Sequence, residues 1–224
     1  MRRFLLLVIV FILLGASQSV SAAESTVNCH CFTDRSYDQQ NPEKVVPYLL
    51  ATTQNSFLSV AFRTPKFKLV KELMSGVPSD QLWISNYFAA KFNYDIKSLM
   101  LLRAAKGSWL AGIDEAGIKQ ELLAPQLVAA LEAKDDQQLA MAVVDEALLF
   151  LMGVDPQQLK ELRKVEQDNR QLILSFFLAQ RTGQIATELY RSVAAGETNW
   201  GTLAFVNNVQ IGEMEQEFKK LLDQ

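Results

Sequence analysis

The residues with the most chemical potential lie close together near the amino terminus. Cys29, His30 and Cys31 are consecutive, and they are the chain's only histidine and its only two cysteines. The spacing is not that of a c-type haem site, which needs two residues between the cysteines and a histidine directly after them. It is not that of a structural zinc site either, which draws four ligands from two separated pairs. Three uses remain. Cys29 and Cys31 can form a disulfide, although a bridge across one residue closes a strained and easily reduced ring. They can act as a thiol redox pair, or as thiolate ligands for a soft metal ion such as copper, Cu(I), with His30 joining if the backbone bends. The plainest alternative is a structural link that ties down the segment around it.

Other chemistry is thinly represented. A serine triad would have to use His30, and the chain has no Gly-rich phosphate loop, dinucleotide fingerprint, nucleophile elbow or zincin spacing. The acidic pairs Asp135-Asp136 and Asp145-Glu146 read as a solvated turn and a helix surface. Trp83, Tyr87, Phe88, Phe176 and Phe177 recur at helical spacing, which points to core packing before a ligand pocket.

The segment preceding the cluster sets its redox context. Arg2 and Arg3 are followed by an uncharged run from Phe4 to Leu14, then by Gly15 and the small residues Val20-Ser21-Ala22-Ala23. A basic start, a short apolar core and a small-residue exit define a signal peptide over residues 1–22, cut after Ala22 or Ala23. The run is too short for a helical membrane span, which takes about 20 residues. The expectation is therefore an exported protein, periplasmic or secreted, with no membrane span after cleavage. Thr26-Val27-Asn28 lacks the small residues that precede a lipidated cysteine.

Cleavage removes two of the 22 basic residues and none of the 25 acidic ones, leaving a net charge of −5. A mildly acidic chain without a basic stripe is poorly suited to nucleic acid, where Lys and Arg must neutralise phosphates.

Residues 23–44 are polar and read as an extended or looped lead-in. From Val45 onward apolar residues recur at three- and four-residue steps, with no alternating run and no Asn-Gly or Asp-Gly hairpin turn, so the expected class is all-α. The chain also resembles itself about 90 residues on. Gln81-Leu82 matches Gln171-Leu172, Ser85 matches Ser175, and Ala89 matches Ala179. With one residue of slippage, Thr64-Pro65 answers Asp155-Pro156 and Trp109 answers Trp200. The reading is a duplicated helical repeat: one half over 45–120, a connecting helix over 121–138, and a second half with an amphipathic tail over 139–224.

Local signals fill in each half. Thr64 and Asp155 are expected N-caps, with proline at the first helical position. Gly107 and Gly196 suit left-handed helix ends. Met141, Val144, Leu148 and Leu151 are expected to form the buried stripe of one helix, with Asp145 and Glu146 outside it. Phe88 and Leu178 are expected in the core. In the tail, Glu215 is placed to meet Lys219. The expected function is non-catalytic binding of a protein, a peptide or a small apolar ligand. The rival is a thiol-redox or soft-metal-handling protein using Cys29, His30 and Cys31.

Overall fold

The computed structural model describes residues 32–222, and these form twelve α-helices and no strands. The segment expected to be a signal peptide and Cys29-His30-Cys31 lie outside the described residues. The helices are α1 (Val46–Phe62), α2 (Lys66–Met74), α3 (Ser79–Phe92), α4 (Ile96–Lys106), α5 (Trp109–Glu115) and α6 (Pro125–Ala133). They continue as α7 (Asp136–Met152), α8 (Pro156–Arg163), α9 (Asn169–Thr182), α10 (Ala186–Ala194), α11 (Trp200–Val206) and α12 (Met214–Leu222). Single 3₁₀ turns at Gln120–Leu122 and Ile211–Glu213 precede α6 and α12. None of these helices is long and apolar enough to cross a membrane.

Their ends follow from side-chain chemistry. Asp155 caps α8 by accepting from the Gln158 amide at 2.8 Å, with Pro156 at the first helical position. Thr64 does not cap α2. That helix starts at Lys66 after Pro65, and the Thr64 hydroxyl instead donates to Asn86 Oδ1 at 2.6 Å. Asp95, Ser108, Asp135 and Asn199 cap α4, α5, α7 and α11. Gly107 closes α4 at φ +79°, where a side chain would be strained.

α1 is the central element, packed by α2, α3, α9, α11 and α12. The long apolar helices cross between the two parts of the chain: α3 packs on α7, and α9 packs on α1. Trp83, Phe88, Phe177 and Leu178 are fully buried along α3 and α9. Phe218 of α12 joins them, 5.3 Å from the Phe57 ring and 4.8 Å from Phe177. The tail helix packs on its own chain, and Lys219 bonds Glu215 at 2.6 Å.

The described part of the lead-in lies on this body. Phe32 meets Tyr48 edge-on, and Tyr37 stacks on Phe205 at 4.2 Å. Gly201 has no side chain because the Pro42 carbonyl lies where its Cβ would be.

α7 begins at Asp136, inside the stretch 121–138 expected to be a connecting helix. The buried face also runs differently: Leu151 is 41% exposed, while Glu146 is 7% exposed. The buried face is wider than the expected stripe, whose Val144 and Leu148 are fully buried, because α3 packs on α7 and covers Glu146 as well.

Candidate functional site

Short turns bring the starts of α2 and α4 to the same part of α3. Arg63 and Asn93 adopt left-handed conformations, at φ 54° and 52°, and end α1 and α3. The Thr64–Asn86 hydrogen bond then ties the entry of α2 to α3. Three residues after α3, Asp95 opens α4, accepting from the Ser98 amide and hydroxyl at 2.8 and 2.9 Å. Those bonds hold its carboxyl below the usual range, with Lys97 adding a weaker pull.

Between these three helices lies an open groove of about 610 Å³, a size that suits a small ligand. Leu69, Leu82, Ile96, Met100 and Leu101 give it an apolar floor, and Leu101 is 70% exposed. Lys68, Glu72, Asp95 and Lys97 stand on the rim. Asn86 sits in the wall at 1% exposure. Its Oδ1 accepts from Thr64, and one of its two Nδ2 hydrogens goes to the Leu82 carbonyl at 2.8 Å. The second Nδ2 hydrogen has no partner among the described residues.

Three polar constellations, buried or half-buried, lie elsewhere. On the α3–α7 contact, Tyr87 donates to Glu146 Oε1 at 2.9 Å, and Lys91 lies 2.6 Å from the tyrosine oxygen and 2.9 Å from the same carboxylate oxygen. Burial, then the bond to Glu146 and its charge, push the Tyr87 hydroxyl well above its usual range. The pair Asp145-Glu146 is thus no solvated surface: Asp145 pairs with Arg163, which is also bonded to Asn169. Burial raises the Asp145 carboxyl, and Arg163 opposes that rise.

The second constellation runs through α1, where Thr52, Thr53, Gln54, Asn55 and Ser56 are each at most 5% exposed. Lys66 donates to Thr52 Oγ1 at 2.6 Å, and desolvation lowers its pKa to about 8 against the opposing charge of Glu215. A hydroxyl beside an amine of lowered pKa is a nucleophile–base geometry. Thr52 is fully buried, however, so no reactant reaches it, and the pair is structural.

The third gathers Asp80, Asp135 and Asp136. Burial first, and then the charges of Asp136 and Asp135, raise the Asp80 pKa to about 6. Asp135 caps α7 and Asp136 pairs with Arg103 at 2.7 Å. Among the described residues no group of three or more His, Cys, Asp or Glu is arranged to hold a metal ion.

The aromatic concentration belongs to the core. Trp83, Tyr87, Phe88, Phe176 and Phe177 are each at most 5% exposed and pack in the core. The groove was not legible in the sequence. Its one early signal is Asn86, an amide in the middle of the apolar helix α3, where an unpaired polar group is costly. A comparison with protein-family models, with curated proteins and with solved structures finds no match to this chain.

Proposed function

We propose that this is an exported, non-catalytic binding protein built from two copies of one helical unit, with the α2–α3–α4 groove as its ligand site. The duplication rests on more than the sequence matches. In chain order α1, α3, α5 and α6 have 17, 14, 7 and 9 residues, and α7, α9, α11 and α12 have the same four lengths. The contacts pair likewise: α3 on α7 answers α9 on α1, and α6 on α7 answers α12 on α1. The units then run over 46–133 and 136–222, and the helix at 125–133 closes the first unit.

The observation that carries the binding reading is a difference between the units. At the position of Asn86 the second unit has Phe176, and at that of Met100 it has Tyr190. Phe176 is 3% exposed, Tyr190 reaches the Val165 carbonyl at 3.3 Å, and α8 and α10 pack on each other. The second unit is closed by larger side chains where the first is open. A groove in the first unit, at residues that differ between the units, is better explained by a ligand than by the demands of folding.

Replacing Met100 with tyrosine, the second unit's residue, tests the reading. Wild-type mature protein should bind the apolar dye anilinonaphthalene sulfonate, and Met100→Tyr should bind it markedly less while keeping its helical circular dichroism. Equal dye binding by the two folded proteins would rule the groove out. Export is tested by the mass of the periplasmic protein, which should begin at Ala23 or Glu24.

A further inference from the structure

We infer that the groove binds a single-chain anionic amphiphile, with a carboxylate head at the Asn86 end and an alkyl tail over the apolar floor; this rests on the groove being a binding site. The groove's polar groups are not spread evenly. The Thr64–Asn86 bond and the three-residue turn into α4 collect the free donors at one end. There Asn86, 1% exposed, has a hydrogen without a partner among the described residues, and a buried donor in that state favours a ligand acceptor.

Lys68 and Lys97 flank the same end, and neither forms a salt bridge among the described residues. The nine-residue helix α2 begins there with no side-chain cap and no acid in its first turn, so its amide dipoles add positive potential. The rim carboxylates offset part of this: Asp95 keeps its charge beside Lys97 although its Oδ1 is bonded to Ser98, and Glu72 lies one turn beyond Lys68. With two ammoniums balanced by two carboxylates over the whole rim, a singly charged head fits better than a dianionic phosphate. A carboxylate has about four acceptor sites, enough for the Asn86 donor and both ammoniums. From there Leu69, Leu82, Met100 and Leu101 offer a continuous apolar path to the tail.

The test is calorimetric titration of the mature protein with dodecanoate, dodecyl maltoside and dodecyltrimethylammonium, all below their micelle-forming concentrations. Dodecanoate should bind at least about tenfold tighter than the cationic chain, the scale of one charge-assisted contact. The surface double variant Lys68→Gln/Lys97→Gln should lose about tenfold for dodecanoate and nothing for the maltoside. Binding of all three chains with similar affinity, or an unchanged dodecanoate affinity in the double variant, would overturn the head-group assignment and leave the groove reading intact. Failure of all three to bind, together with dye binding unaffected by Met100→Tyr, would overturn the groove reading itself.

Discussion

The Lys91 ammonium of α3 stands 2.9 Å from Glu146 Oε1 of α7, across the contact between the two parts of the chain. Glu146 is 7% exposed, and its Oε2 has no partner among the described residues, so its charge depends on Lys91 and the Tyr87 hydroxyl. Removing one partner of a buried pair strands the other charge. Lys91→Ala should therefore destabilise the fold by roughly 1–3 kcal/mol, reduced from the fully buried case because the Lys91 side chain is 33% exposed. Urea denaturation of both proteins would measure it. A loss no larger than that of an exposed lysine variant would show that the pair is dispensable.

Asp80 predicts a pH dependence. Its pKa rises from 3.8 to about 6, so between those values the native state holds more protons than the unfolded chain. The sign is then fixed: Asp80 weakens the fold as pH rises through 6, and its contribution is fully favourable only below 3.8. Asp80→Asn should raise stability at pH 7 by roughly 1 kcal/mol, after discounting for its partial exposure, and by much less at pH 4. Thermal midpoints of both proteins across pH 4–7 decide it; parallel curves would contradict the assignment.

Phe88 is fully buried beside Tyr87 and Phe92, 5.3 and 6.1 Å between ring centroids. Truncation to alanine removes its burial and leaves a cavity, a loss of about 3–5 kcal/mol. Unfolding within a few tenths of wild type would mean that α3 is not central.

The duplication predicts that an experimental structure will superpose 46–133 on 136–222 with Trp109 and Trp200 in equivalent places. Tryptophans in unrelated environments would end that reading.

The cysteines make a separate prediction. A bridge across one residue closes so short a loop that it restricts the unfolded chain weakly, so Cys29→Ser/Cys31→Ser should leave the thermal midpoint unchanged. In an oxidising compartment the wild-type mature protein should titrate no free thiol. A double variant that fails to fold would make the cluster a structural staple and remove the support for a redox or copper role.

Particular residues show how far the sequence reaches. Asp155 before Pro156 was legible as a cap because both effects act within one turn. Thr64 before Pro65 looks the same, yet its hydroxyl is taken by Asn86, 22 residues away, which no local pattern contains. Thr52 to Ser56 are polar by type, yet α2, α3, α9, α11 and α12 enclose them, which no pattern along the chain contains. Glu146 was misplaced for the same reason, since its burial comes from α3 packing on α7.

By itself the sequence determined the all-α class, the burial of Phe88 and Leu178, and the Glu215–Lys219 pair, because apolar period and i,i+4 spacing act over a few residues. Only the tertiary structure decided where the helices leave a groove. Leu69, Leu82 and Met100 come from three helices, and whether they meet or leave a groove depends on the volume of the side chains between them, Asn86 among them. That volume acts across helices rather than along the chain, so it is settled by close packing and not by spacing.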